Sequence, residues 1–335
     1  MRLLFVFVPE YTITAATLAS IASIEYARSI IENTVVLPVW QKQLAKDSLI
    51  KATKSALEIY GYNTSTELIK KFVNGIEKKT DTEVKNYINV RSYINQKSKS
   101  KEIDEQNLKE LHAKVANGIL PASKCKTYRS KKTESQIQPE EILAKTTELM
   151  DWYNGLDAQE THIVITAGIL KAQLELIEPF ELTNKLVSNL AVYLILSSRG
   201  YDMRGYLCLE EYYIQSRNRY DVAIMSITDT GGDITKWLEY FTEGFAHEVS
   251  KIKENIVLLA KDTKLAKVSG RSQLTERQEK IIEFLQDYGL LTNSGFQRLF
   301  PDISEDSVLR DLKTLADSGI VVKKGQTKSA RYELK

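Results

Sequence analysis

Apolar residues recur at spacings of three and four along most of the chain, which is the pattern of amphipathic α-helices. The first helical stretch starts near Thr14, and further ones cover about 39–59, 82–95 and 107–118. Thr64 and Glu67 fit a capping box that opens a short helix, which is predicted to stop at Gly75. Residues 163–177 and 185–198 are apolar almost all round and are separated by Pro179. This pattern predicts two helices at the centre of a helical core.

The pattern changes after residue 118 and again after residue 260. Residues 121–138 lack a helical stripe, and we interpret them as an extended hairpin or a loop. Residues 260–273 are polar and basic, which predicts an exposed linker. Beyond them, helices over about 275–288, 292–300 and 304–318 precede a β-hairpin formed by 320–322 and 330–334. Three helices and a hairpin are the outline of a winged helix-turn-helix.

Composition narrows the class of protein. The 335 residues favour roughly two domains. Lys and Arg number 46 against 44 Asp and Glu, and the net charge of +2 excludes a globally basic nucleic-acid coat. Cys125, Cys208 and three histidines show no metal-ligand spacing, so we expect free thiols and no metal site. The longest apolar run is too short for a membrane span, and the N-terminal run is too short for a signal peptide. We therefore expect a cytoplasmic protein without a membrane partner.

At the break between the two central helices the chain resembles the Fic (fido) family. That family's signature reads His-Pro-Phe-x-Asp/Glu-Gly-Asn-Gly-Arg-x-x-Arg, and residues 178–189 read EPFELTNKLVSN, so that Pro179, Phe180 and Asn184 match. Residues 167–170, 207–220 and 232–241 are similar to the same family. Tyr128 and Arg129 stand at the Tyr-Arg of the family's target-docking flap.

The end of the predicted helix at about 39–59 resembles the family's inhibitory helix, which carries Ser/Thr-x-x-x-Glu-Gly/Asn. Here Gly61 is retained, whereas Ala56 and Tyr60 replace the Ser/Thr and the Glu. The resemblance implies a mainly α fold. A winged helix is a known companion of this subclass of the family. The expected domains are an N-terminal helical lobe (1–95), a Fic-like helical core with a small β-hairpin flap (107–260) and a C-terminal winged helix-turn-helix (274–335).

The resemblance also implies AMP transfer from ATP to a protein hydroxyl, but six motif positions depart from the family. Glu178 replaces the His, and a carboxylate is a weak general base. Leu182 offers Mg²⁺ no oxygen, and Thr183 and Lys185 obstruct phosphates where glycines are usual. Leu186 and Asn189 replace the two arginines, so their bidentate donors are lost. Together the six departures predict an inactive transferase site.

Two functions therefore stay open. The first is a non-enzymatic regulator that binds double-stranded DNA or a protein through its winged helix and needs no cofactor. The second is an active protein adenylyltransferase with a non-standard site that uses ATP and Mg²⁺.

Basic side chains on the last helix and the hairpin are the candidates for contacts with DNA: Arg310, Lys313, Lys323, Lys324, Lys328 and Arg331. The Lys-rich stretch 124–132 is either a solvated loop or a strand-pairing surface for a partner protein. We read His112 as a partly buried helix residue rather than a base. Family members often form dimers, and from the resemblance we expect a homodimer.

Overall fold

The structure, a computed structural model, describes residues 7–36, 38–97, 102–133, 135–268, 274–325 and 330–334. It is mainly α-helical, which confirms the predicted fold class. Its helices and strands are α1 (Ala15–Asn33), α2 (Pro38–Ile59), α3 (Thr66–Val73), α4 (Thr82–Lys97), α5 (Glu105–Ala116), α6 (Ile142–Asn154), α7 (Leu156–Glu160), α8 (Ile163–Ile177), α9 (Asn184–Ser198), α10 (Leu209–Gln215), α11 (Arg217–Asp229), α12 (Thr235–Val268), α13 (Glu276–Tyr288), β1 (Leu291–Thr292), α14 (Asn293–Leu299), α15 (Glu305–Asp317), β2 (Val321–Lys324) and β3 (Arg331–Leu334).

The described residues divide into two compact units. Unit 1 takes those of Met1–Asn33 and Ser48–Lys253, and unit 2 takes those of Thr34–Asp47 and Glu254–Lys335. The stretches 1–95 and 107–260, which we expected to form two domains, thus share unit 1 over most of their length. Trp40 at the start of α2 packs against the hydrophobic core of unit 2. The first turns of α2 therefore belong to unit 2 rather than to an N-terminal lobe.

Helices α8 and α9 form the centre of unit 1, and almost all of their side chains are buried. Helix α12 lies close against α8 because Gly168 has no side chain. A Cβ added there would lie 2.9 Å from Leu238 and 3.0 Å from Phe241. Trp237 Nε1 donates a hydrogen bond of 2.8 Å to the Gly168 carbonyl. This packing fixes α8 and, with it, the loop that follows.

Unit 2 contains the three predicted helices α13, α14 and α15 and the predicted hairpin β2–β3. The two-residue strand β1 was not predicted; it completes an antiparallel sheet in the order β1-β3-β2. Leu291 pairs with Tyr332, and Val321 pairs with Leu334. Leu291, Val321 and Tyr332 belong to the same hydrophobic core as α13 and α15, so the sheet and the helices are stabilised by one cluster.

The predicted cap and linker need correction. The N-cap of α3 is Ser65, whose hydroxyl accepts from Leu68 N at 3.1 Å, because the Thr64 hydroxyl instead donates to Asp81 at 3.2 Å. The expected linker at 260–273 is helical as far as Val268. Its Ala, Lys and Leu residues are strong helix formers, and the first glycine comes only at Gly270.

Residues 121–133 and 135–138 form a loop with one short 3₁₀ helix (Ala122–Lys124) and no strand. Of the two predicted alternatives, a hairpin or a loop, the structure therefore has the loop. Its backbone forms local turns, as where Lys124 N donates to the Pro121 carbonyl at 2.8 Å, and it also bonds to the core, where Arg129 N donates to the Pro179 carbonyl at 2.9 Å. No helix in the described ranges is both long and apolar enough to cross a membrane.

Candidate functional site

The loop between α8 and α9 carries the motif that the sequence singled out. Glu178 ends α8 with a left-handed backbone (φ 46°), and Thr183 precedes α9 in the same region (φ 65°). Asn184 closes the loop between them: its Oδ1 accepts from Phe180 N and its Nδ2 donates to the Phe180 carbonyl, both at 2.7 Å. Only a carboxamide offers a donor and an acceptor in this way. The retained Asn184 thus has a structural role.

Arg129 fastens the flap segment to this loop. Its side chain is buried, and its guanidinium donates to the carbonyls of Glu178 at 2.7 Å, Ile137 at 2.7 Å and Lys131 at 2.9 Å. The neighbouring Tyr128 packs its ring 5.6 Å from that of Phe180. The flap residues predicted from the resemblance therefore do lie against the motif.

Glu178, at the position of the family's general base, is half-buried. Its carboxylate accepts a hydrogen bond of 2.8 Å from the Thr133 hydroxyl. It lines a cavity of about 650 Å³ together with Glu175 and the flap residue Gln136. The described residues that line this cavity include carboxylates but no histidine, the residue that the family uses as its base.

His112 lies beside the loop but does not replace the missing histidine. It is fully buried, its ring stacks on Phe180 with centroids 4.1 Å apart, and its Nδ1 donates to the Cys125 carbonyl at 2.8 Å. Burial lowers the pKa of His112, because desolvation disfavours the charged imidazolium. It is more completely buried than we predicted and serves packing.

The residues of the motif do not fit a bound ATP–Mg²⁺ complex. Leu182 is 47% exposed and has no oxygen to offer a metal ion. The adjacent Glu181 is engaged by Lys124, whose Nζ donates to it at 2.8 Å. Over the described ranges, no group of three or more His, Cys, Asp and Glu side chains is arranged to hold a metal.

The two positions that the family fills with arginine are occupied by neutral, buried side chains. Leu186 belongs to the hydrophobic core. Asn189 Nδ2 donates to the Tyr60 hydroxyl at 3.1 Å. Tyr60 follows α2 next to Gly61, which has the left-handed φ of 81°, and Ala56 is fully buried inside the helix. The position of the inhibitory Glu and that of the second motif Arg thus lie in contact, but as an uncharged pair.

Lys185 is exposed at the start of α9 and, with Asn189 and Tyr60, lines a pocket of about 150 Å³. None of the residues that line this pocket lines the cavity of Glu178. The two ends of the motif therefore face different cavities.

A buried polar network beneath the motif was missed by the sequence analysis. Lys171 forms an ion pair with Glu175, which also accepts from the hydroxyls of Tyr220 and Ser188. Burial lowers the pKa of Lys171, while the Glu175 carboxylate beside it opposes the shift. The available signal was a Lys and a Glu four residues apart in an otherwise apolar helix, a spacing that places both on one face. The network holds α8, α9 and α11 together and presents no charge to solvent.

The DNA-contact candidates lie in unit 2. Arg310 and Lys313 are both exposed on α15. Asp311 between them is buried and bonds to Arg277 and, at 3.2 Å, to Gln278 on α13. Its charge is therefore neutralised inside the unit.

The hairpin candidates are less free than predicted. Lys324 and Arg331 both pair with Glu333, at 2.6 and 3.0 Å. Lys323 is exposed, and its Nζ lies 6.0 Å from the centre of the Tyr332 ring. Lys328 lies outside the described residues.

Comparison with known proteins agrees with this geometry. Residues 102–196 match the Fic/DOC family. The chain is similar in structure to a Fic family protein from Desulfovibrio desulfuricans (TM-score 0.65, 18% identity, 98% of each chain covered). It is also similar to Fic-1 from C. elegans (0.58, 15%, 72% of each chain).

A Fic domain containing signaling protein from Bacteroides thetaiotaomicron has the same fold (TM-score 0.54, 18% identity) over 78% of this chain and all of the other. No curated protein matches the sequence. The family match and the shared helical fold together show that residues 102–196 of this chain form a Fic domain.

Proposed function

We propose that this Fic domain protein does not transfer AMP and acts as a regulator that binds double-stranded DNA through unit 2. The observation that carries the first half is the state of the two arginine positions. Leu186 is buried in the core and Asn189 is bonded to Tyr60, so neither can hold a phosphate. Bidentate arginine–phosphate contacts are the strong ones, and nothing bidentate replaces them at these positions.

The arrangement of the cavities supports the same proposal. Transfer needs the base, the acceptor hydroxyl and the phosphate within contact distance of one another. Here Glu178 lines one cavity, whereas Lys185 and Asn189 line another. A phosphate held at Lys185 would not share a cavity with the base.

Incubation of the purified chain with labelled ATP, Mg²⁺ or Mn²⁺ and a cell lysate tests this half. We expect no labelled protein above the level of a sample without the chain. Labelled bands that depend on the chain would establish the alternative, an active adenylyltransferase with a non-standard site.

The DNA half of the proposal rests on α15. We propose that α13–α15 and the three-stranded sheet form a winged helix in which α15 enters the major groove. Arg310 and Lys313 are three residues apart and so share one helix face. The burial of Asp311 removes the carboxylate between them, and Asp306 and Asp317 are exposed one turn before and one turn after the pair.

Fluorescence anisotropy on duplex pools tests the role of α15. Arg310→Ala should weaken binding to a preferred sequence by about 1–3 kcal/mol and affect other sequences little. Glu279→Ala on α13 is a matched control, and we expect it to change neither. Equal losses on all sequences would contradict base readout by Arg310, and binding to no duplex would leave unit 2 as a protein-contact module.

A further inference from the structure

The pocket of about 150 Å³ in unit 1 has the size of a single-ring ligand. An engineered protein cavity of about 150 Å³ binds benzene, whereas pockets for drug-sized ligands measure about 300–1,000 Å³. Its buried wall is formed by Asn189, Tyr213 and Tyr220, and the half-buried Tyr60 also lines it. Aromatic rings on several sides suit a small apolar body.

One polar atom in this wall has no partner. Tyr213 is 4% exposed, and its hydroxyl bonds to no residue in the described part of the chain. A buried hydroxyl without a hydrogen bond costs about 1–3 kcal/mol, so such groups are rare unless a ligand or water satisfies them. The hydroxyl of Tyr220, by contrast, donates to Glu175. Among these two tyrosines the unsatisfied hydroxyl is therefore that of Tyr213.

The exposed rim is electropositive. Lys185 and Arg217 line the pocket, and neither side chain forms an ion pair or hydrogen bond with another described residue. Of the two carboxylates that line it, Glu58 is paired with Lys54 at 3.3 Å, which leaves Asp221 as the unneutralised one. Two free cations against one free carboxylate favour an anionic group at the rim.

We propose that this pocket binds a small organic carboxylate whose apolar body is about one aromatic ring in size. The carboxylate lies between Lys185 and Arg217, the body packs against the tyrosine rings, and the Tyr213 hydroxyl donates to the ligand. Asp221 adds a site for an ammonium, so the carboxylate belongs either to a simple acid or to an amino acid.

Calorimetric titration of the full chain with benzoate tests the proposal, with benzyl alcohol as the uncharged analogue of similar shape. We expect saturable benzoate binding in roughly the millimolar range or tighter, and binding of the alcohol at least about tenfold weaker. Phenylalanine as a third probe separates the two sources: tighter binding than benzoate assigns an amino acid, and weaker binding assigns a simple acid.

Variants at the rim and in the wall give the controls. Lys185→Met and Arg217→Met should each weaken benzoate binding about tenfold, whereas Lys78→Met, an exposed lysine of unit 1 outside the pocket, should not. Tyr213→Phe should weaken binding several-fold without lowering resistance to urea, because it removes only an unsatisfied hydroxyl.

Absence of saturable benzoate binding, or affinity unchanged in Lys185→Met and Tyr213→Phe, would overturn the proposal. The titrations contain neither nucleotide nor DNA, so their outcome is independent of AMP transfer and of DNA binding.

Discussion

Arg129 carries a full positive charge into a buried position and is balanced there by backbone carbonyls. Its planar fork bonds the carbonyls of Glu178, Ile137 and Lys131 at once, a geometry that a lysine ammonium cannot reproduce. We expect Arg129→Lys to lower the free energy of unfolding by about 2–4 kcal/mol, measured by urea titration. The exposed Lys132→Met in the same segment is the control, and a loss for Arg129→Lys no larger than that of the control would contradict this role.

Glu178→His restores the family's base but should not restore AMP transfer. Leu182 still offers no metal ligand, Leu186 stays in the core and Asn189 stays bonded to Tyr60. Self-labelling of this variant with labelled ATP is the measurement, and we expect the level of the unaltered chain. Robust labelling would mean that the metal and phosphate positions matter less than their chemistry implies.

The sequence could predict which residues lie close together, but not which side-chain contacts they make. The motif comparison identified Tyr60, Asn189 and Arg129, and the structure brings each into the expected region. The Tyr60–Asn189 hydrogen bond and the Lys171–Glu175 pair depend on which side chains face each other across helices. The pattern of residues along one sequence does not give the distance between side chains on different helices.

Among the helices, α12 holds a buried carboxyl that makes stability depend on pH. Glu248 is buried, and desolvation raises its pKa to about 7, although Lys251 lies 3.1 Å away and also pairs with Glu211. An unfolded glutamate ionises near pH 4.3, so between about pH 4.3 and 7 the folded chain holds a proton that the unfolded chain has lost. The stabilising effect of this group is complete below that range and is lost as the pH rises through 7.

Urea titrations between about pH 5 and 8 check this dependence against Glu248→Gln. We expect the stability of the unaltered chain to fall with rising pH more than that of the variant. His247 lies 3.9 Å from Glu248, but it is present in both proteins, as are Glu211 and Lys251, so the difference reports Glu248. Parallel curves would contradict the raised pKa.

Hydrophobic periodicity was sufficient for the start of α1 and for both ends of α2, α8 and α9, which agree closely with prediction. It failed where tertiary contacts decide. Strand β1 has only two residues and exists because it pairs with β3. The loop at 121–133 and 135–138 is attached to the core by bonds such as that from Arg129 N to the Pro179 carbonyl.

We expect the chain to form a homodimer. A winged helix that reads DNA gains from two-fold symmetry, because two copies can contact two half-sites. We expect the mass of a dimer by light scattering at tens of micromolar protein. A monomer mass would remove the dimer and predict binding to a single half-site.

The division of the whole molecule was the least predictable feature. Composition suggested a boundary in the polar stretch after residue 260, yet the first turns of α2 belong to unit 2, and Trp40 packs against its core. A contribution from residues more than two hundred positions away in the sequence leaves no local signal.

If unit 2 binds double-stranded DNA as we propose, its affinity for a duplex falls as the salt concentration rises. Each phosphate contact made by a lysine or arginine lowers the logarithm of the binding constant by about 0.9 per tenfold rise in salt. Contacts by Lys323 and Lys328 alone, with Lys324 and Arg331 held by Glu333, predict a slope of about −1.8. If Lys324 and Arg331 exchange Glu333 for phosphate, the four contacts predict about −3.6.

The measurement is fluorescence anisotropy on duplex DNA between about 50 and 200 mM salt, with Lys323→Ala beside the unaltered chain. We expect tight binding at low salt, a slope in this range, and a slope shallower by about 0.9 in the variant. No binding at about 50 mM salt, or a slope unchanged in Lys323→Ala, would contradict it.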